Sequence, residues 1–217
     1  MLYIDIMCDI MKTTTIIDKL RILNKKYVTR EELKMFCKEL NKDYSSVIIY
    51  LTRHKYLLRI LRGIFYVPSL EERKYNRIDV SFYEMIERTL ALKKISNWYF
   101  GLDSAIKLNN ITHETKTIEY IINDKIFRQK PIIILGKKIK FIKLKKELFK
   151  FGITKDKTSD LEKTILDIIY LSKYNKEKDK DILNKITDLL EISNKSKLKK
   201  HSQNYPETIK KVIEKYV

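Results

Sequence analysis

Residues Tyr44 to Pro68 read YSSVIIYLTRHKYLLRILRGIFYVP. The stretch holds no Asp or Glu, yet it carries Arg53, Lys55, Arg59 and Arg62, with His54 among them. Val47, Ile48 and Leu51 recur at helical spacing and share one face, which turns Ser46, Tyr50 and Arg53 outward. The second half reads as two short strands, Leu57 to Ile60 and Ile64 to Val67, joined through Leu61-Arg62-Gly63. Gly63 takes the positive φ of a tight hairpin without steric penalty. Pro68 ends the second strand, because it has no amide to give to a ladder. A helix followed by a basic hairpin predicts the reading end of a winged helix-turn-helix. The helix suits a major groove about 12 Å wide, and the hairpin arginines reach flanking phosphates. On that reading the DNA-binding residues are Ser45, Ser46, Tyr50, Arg53, His54, Lys55, Arg59 and Arg62.

Upstream, the pattern predicts a helix over Thr14 to Asn24 with Ile16, Ile17, Leu20 and Leu23 on its apolar face. Thr29-Arg30-Glu31-Glu32 is a capping box that starts a second helix burying Leu33, Phe36 and Leu40. Asn41-Lys42-Asp43 turns the chain, and Ser45-Ser46 opens the third helix. Residues 11–72 form the expected winged domain, and residues 1–10 a loose arm or a misplaced start before Met11.

Downstream, the polar run Ser69 to Arg77 marks the expected domain boundary, with residues 73–217 forming the second domain. A helix over Ser81 to Lys93 places Phe82, Met85, Ile86, Thr89 and Leu92 on one side. Trp98-Tyr99-Phe100 reads as a buried strand or a helix lead-in. A short helix follows from Gly101 and ends at Asn109-Asn110. Ile118 to Ile122 is a strand. Pro131 to Leu135 is a buried strand, which turns at Gly136-Lys137 and returns over Ile139 to Leu144. Residues 73–157 are thus mixed α/β. From 158 to 217 the chain is helical: a second capping box at Ser159-Asp160-Leu161-Glu162, then an apolar face of Leu161, Ile165, Leu166, Ile168 and Ile169. A helix through Ile182, Ile186, Leu189 and Leu190 follows. The last helix has Pro206 in its first turn, with Ile209, Val212, Ile213 and Tyr216 at helical spacing. The fold class expected is α+β.

Composition narrows the partner. The 217 residues are 44% hydrophobic, enough for packed cores, and carry a formal net charge of +18. That excess points to a polyanion. An AT-rich genome enriches Lys by codon usage alone, so the placement of arginine is the sharper signal. Four of the nine arginines (Arg53, Arg59, Arg62, Arg73) fall in or beside the helix and hairpin. Only Cys8 and Cys37 occur, without zinc or redox spacing, which fits a reduced cytoplasm. No membrane span or signal peptide is expected, so the localisation read from the sequence is cytoplasmic.

Several segments together resemble the AbiEi-type antitoxins of type IV toxin–antitoxin systems. They are the winged module with Gly63-Ile64-Phe65-Tyr66-Val67-Pro68, the run Trp98-Tyr99-Phe100-Gly101-Leu102 with Ala105 and Leu108, Ile111-Thr112-His113, and Ser159 to Asp167. The resemblance rests on the order and spacing of these motifs and covers roughly Thr14 to the helix after Asp167. The Lys-rich last fifty residues fall outside it. It implies an N-terminal domain that binds inverted repeats upstream of its operon and represses transcription. It also implies a C-terminal domain that supports cooperative binding and antagonises a nucleotidyltransferase toxin; a palindromic site would need two protomers, or one dimer, on the DNA. No direct toxin contact is implied.

Other readings compete. The module could be a stand-alone transcription factor with a ligand-sensing C-terminal domain, or a protein–protein docking unit. His113 has no second ligand nearby in sequence and reads as a buried or capping histidine. Asp160, Glu162 and Asp167 read as capping and dipole complements, not as a metal cluster. The lysines from Lys137 to Lys150 (Lys137, Lys138, Lys140, Lys143, Lys145, Lys146, Lys150) form a solvated face or a second nucleic-acid surface. Strand alternation puts Lys140 and Lys143 on opposite faces. No nucleophile–base pair, metal spacing or phosphate loop is present, so neither catalysis nor a cofactor is expected.

Overall fold

The computed structural model describes residues 15–112 and 117–216. The expectations for the arm 1–10, for Cys8 and for His113 lie outside them. The chain is α+β and divides into two compact units, with the break between Lys94 and Ile95. The sequence placed that break at residue 73. Ser69 instead caps a short helix, and Glu72 is buried against the strand before it, so the polar run folds with the first unit.

The first unit opens with helix α1 (15–22), which Asn24 ends at φ 49°. Ile16, Ile17 and Leu20 are buried, whereas Leu23 is exposed because the helix has already stopped turning toward the core. Strand β1 (Tyr27–Thr29) leads into helix α2 (Arg30–Glu39) through the capping box: Glu32 N donates to Thr29 Oγ1 at 3.2 Å and Thr29 N to Glu32 Oε2 at 2.8 Å. Helix α3 (Tyr44–Arg53) follows, then strands β2 (Leu58–Leu61) and β3 (Ile64–Tyr66). The three strands form an antiparallel sheet of order β1-β3-β2, with Leu61 facing Ile64 across the Arg62-Gly63 turn. Gly63 has φ +79°, the conformation the turn requires. Val47, Ile48 and Leu51 pack with Ile16, Leu20, Leu33, Phe36, Phe65 and Val67 in one core. Each such buried side chain contributes about 1.5–3 kcal/mol.

Helices α4 (Leu70–Lys74) and α5 (Phe82–Leu92) complete the unit. Glu72 fastens α4 to the sheet: it accepts from Tyr66 Oη at 2.7 Å, Ser69 N at 2.7 Å and Asp79 N at 2.8 Å. Helix α5 is capped by Ser81 and buries Leu90, whereas Leu92 points to solvent.

The second unit is a four-stranded sheet followed by helices. Its strands are β4 (Trp98–Phe100), β5 (Ile118–Asn123), β6 (Ile132–Ile134) and β7 (Lys137–Lys143), in the order β4-β5-β7-β6. The β5–β7 pair is parallel and the other two are antiparallel. Helix α6 (Asp103–Leu108) follows β4 directly and anchors β5, since Ser104 Oγ and Lys107 Nζ both donate to buried Glu119, at 2.7 and 2.9 Å. The expected buried strand at 131–135 is an edge strand: Ile134 is buried but Ile133 faces solvent. An edge strand has only one neighbour to cover it.

Helices α7 (Leu161–Tyr174), α8 (Asp179–Ile192), α9 (Lys195–Ser202) and α10 (Glu207–Tyr216) close the second core around Ile165, Leu166, Ile169, Ile186 and Leu198. The cap of α7 is Asp160, which accepts from Lys163 N at 2.8 Å; it is not Ser159, whose hydroxyl lies 2.7 Å from that of Thr164. Asp167 is not a surface complement to the helix dipole. It is wholly buried, accepts from Tyr99 Oη at 2.7 Å and Tyr205 Oη at 2.6 Å, and lies 3.6 Å from Lys163 Nζ. Lys163 is equally buried and sits over the rings of Tyr99, Phe151 and Tyr205. Burial pushes the Asp167 carboxyl up and the Lys163 ammonium down.

Candidate nucleic-acid interface

The expected contact residues all lie on the first unit, and most are exposed. Ser45, Ser46, Arg53, His54, Lys55, Arg59 and Arg62 face solvent, while Tyr50 is half-buried. The structure sorts them into two groups along α3. From Ser45 to Arg53 the helix rises about 12 Å at about 1.5 Å per residue.

The first group gathers at the N-terminal turn of α3. Arg30 and Lys34, four residues apart on α2, approach the Tyr44 ring at 5.6 and 5.9 Å. Burial pushes the Tyr44 phenol up while the charges of Arg30 and Arg59 pull against it, which places Arg59 in the same neighbourhood. Arg59 pairs across the hairpin with Phe65 and stacks 5.6 Å from its ring. The hairpin tip adjoins the start of α2, since Arg30 N donates to Gly63 O at 2.9 Å and Lys93 Nζ donates to Arg62 O. The first turn of α3 thus adjoins Arg30, Lys34 and Arg59, with Glu31 in the same neighbourhood, and the hairpin tip with Arg62 and Lys93 adjoins the start of α2. Among the described residues, no carboxylate forms an ion pair with Arg53, Arg59 or Arg62.

This end is not free of acid. Asp43 is the N-cap of α3 and accepts from Ser46 N at 2.7 Å and Ser46 Oγ at 2.9 Å. The helix therefore begins at Tyr44, not at Ser45-Ser46, because a carboxylate one turn upstream satisfies the open amides better than a hydroxyl within the turn. Those hydrogen bonds hold the Asp43 carboxyl below its usual range. The Ser46 hydroxyl is already engaged.

The second group lies past the other end of α3. His54 caps the helix and Lys55 turns the chain at φ 55°. The Tyr50 ring is 4.5 Å from His54 and stacks on Tyr56 at 6.3 Å and 17°, and Arg73 lies 3.7 Å over Tyr56. A Tyr50 ring held in that ladder is not the outward reader expected from helical spacing. His54, Lys55, Arg73 and Lys74 line a shallow cavity of about 330 Å³ with Leu70. Lys55 Nζ also donates to Asn76 Oδ1 at 3.1 Å.

Arg30, Lys34 and Lys93 do not figure among the residues expected from the sequence, yet they lie beside this surface. The i, i+4 pair on α2 was a usable signal; Lys93 was not, since it reaches Arg62 across 31 residues. In the second unit, register puts Lys138 and Lys140 on one face of β7 and Lys137 and Lys143 on the other. The lysine run therefore does not form one plane.

No helix of the described residues is long and apolar enough to cross a membrane. No family model matches the chain, and no curated protein matches it. Among solved structures it is similar to the crystal structure of the RV2827C protein from Mycobacterium tuberculosis. That likeness has a TM-score of 0.54 at 13% identity and covers 94% of this chain and 75% of that one. It is a likeness of fold, spanning both units.

Proposed function

We propose that the first unit is a winged helix-turn-helix that binds duplex DNA, and that the chain is a transcriptional regulator. The observation that carries this reading is the convergence of α3's first turn, the start of α2 and the β2–β3 tip on one cationic end. In that arrangement α3 enters the major groove while Arg30, Lys34, Arg59, Arg62 and Lys93 meet phosphates on either side. The sheet order β1-β3-β2 behind two helices supports the same reading. Arg53, His54 and Lys55 then lie toward the far backbone and steady the complex without reading bases.

The resemblance to AbiEi-type antitoxins makes the finer proposal. The chain represses its own operon by binding inverted repeats, as a dimer on DNA, and opposes a nucleotidyltransferase toxin without a required contact. A titration on the chain's own promoter at two salt concentrations tests the first step. Binding should weaken steeply with salt as phosphate counterions are released. Absence of protection at both concentrations, with folded protein, rejects autoregulation.

One observation favours a second reading. A carboxylate at the tip of the supposed reading helix repels phosphate and suits a protein-docking unit. Loss of DNA binding in neither the Arg59→Ala/Arg62→Ala nor the Arg30→Ala/Lys34→Ala variant would favour it.

A further inference from the structure

We propose that the outer edge of β6 in the second unit is a docking site for an extended, acidic segment of a partner protein, which adds a strand to the sheet. The inference is independent of DNA binding by the first unit. Strand β6 ends the order β4-β5-β7-β6, and among the described residues its backbone pairs only with β7. An unpaired edge presents amides and carbonyls ready for another strand. The edge is also apolar where soluble sheets usually avoid it: Ile133 is 71% exposed and Leu135 40%. Phe127, 65% exposed, lies in the segment that reaches β7 through Arg128 N donating to Phe141 O at 3.2 Å.

The charge around this edge selects the occupant. From Lys125 to Lys146 the chain carries nine cations and no acid. Lys138 faces Ile133 across the ladder, on the same face of the sheet, and Lys140 follows two residues on. A second copy of this chain would bring one lysine-framed edge against another, so like charges oppose self-pairing. A strand that carries β-branched and acidic residues in turn at every second position, and so on one face, meets both features: its apolar side chains cover Ile133, and its acids meet Lys138 and Lys140. Nucleic acid would satisfy the lysines but leave Ile133 and Phe127 uncovered.

The test uses the full chain and a fluorescent peptide of about eight residues repeating Val-Thr-Glu-Thr, which sets Val and Glu on one face, compared with the same peptide carrying Lys for Glu, by anisotropy. The acidic peptide should bind and the basic one should not. Ile133→Glu and Lys138→Glu, each at an exposed position, should each weaken binding by about tenfold or more through like-charge repulsion. Hydrogen exchange at residues 132–134 should slow on adding the acidic peptide. Equal binding of both peptides, no binding, or unchanged exchange at β6 overturns the proposal. Dimerisation of the free chain that Ile133→Glu abolishes overturns it in favour of a second copy. Protection of the same amides by a duplex oligonucleotide overturns it in favour of nucleic acid.

Discussion

Asp43 accepts both the amide and the hydroxyl of Ser46, so the helix end that carries the cationic surface is closed by a carboxylate. The same group stabilises α3 and repels a phosphate. Asn also serves as an N-cap acceptor, without the charge. Asp43→Asn is therefore expected to keep the helical content of the chain and to raise affinity for duplex DNA by about two- to fivefold at low salt, the gain fading as salt is raised. Circular dichroism and a binding titration at two ionic strengths check both halves.

Arg59 and Arg62 act on phosphates in this account, so their loss should not alter sequence preference. Arg59→Ala/Arg62→Ala should weaken specific and random duplexes by the same factor. The slope of log K against log salt should become shallower by about 1.8, from about 0.9 per phosphate contact. A slope unchanged from the parent chain would remove the hairpin from the interface.

Glu72 ties α4 to β3 and makes the first unit sensitive to acid. Burial pushes its carboxyl up, but the hydrogen bonds from Ser69, Asp79 and Tyr66 outweigh it, so its pKa lies below the usual 4.5. A depressed pKa in the folded state means stability that is complete above the unfolded value and disappears as pH falls through the folded one. Melts of the parent chain should lose stability below about pH 4.5, the ordinary glutamate range. Glu72→Gln should blunt that loss and cost about 1–3 kcal/mol at neutral pH, because buried donors lose a charged acceptor.

The Lys163–Asp167 pair makes a comparable prediction for the second unit. Removing one member strands a charge in the core, so Lys163→Met or Asp167→Asn should each cost about 3–5 kcal/mol. Lys163→Met/Asp167→Leu should cost less than the sum of the two single changes. The chain's single tryptophan, Trp98, lies in this unit and is buried, so its fluorescence during urea unfolding reports on the second unit alone.

Gly63→Ala should cost backbone strain and not a clash. At φ +79° an alanine is strained by about 1–2 kcal/mol, while its Cβ would make an ordinary contact with Arg30 Cβ at 3.5 Å. Gly101→Ala tests close approach in the other unit, because the added Cβ would fall 2.4 Å from Ile122 Cδ1. Overpacking of that kind costs about 1–3 kcal/mol. Thermal unfolding of each variant measures the difference.

What the sequence revealed was local. The Thr29–Glu32 capping box and the Gly63 turn were readable because their chemistry lies within four residues. The Ser69–Glu72 box has the same form, but its polar surroundings read as a linker, and the buried face of Glu72 depends on Tyr66 and Asp79. Ser159 and Asp160 are adjacent candidates for one cap, and spacing alone could not choose between them. Asp167 meets Tyr99 and Tyr205 from 68 and 38 residues away, a pairing no periodicity announces. In the cationic surface, the exposure of Arg53 followed from the helical period. The separation of Arg53 from Arg59 along α3 did not, because it depends on where the hairpin tip meets α2.

The Tyr205 hydroxyl arrives late in synthesis. While the chain emerges from the ribosome, Lys163 and Asp167 are made dozens of residues before the phenol that completes their hydrogen bonding. The packing of the second unit around α7 is therefore not complete until Tyr205 has been made. A nonsense codon or protease nick shortly before Tyr205 would do more than shorten the protein: it would leave a charged gap at the centre of that unit.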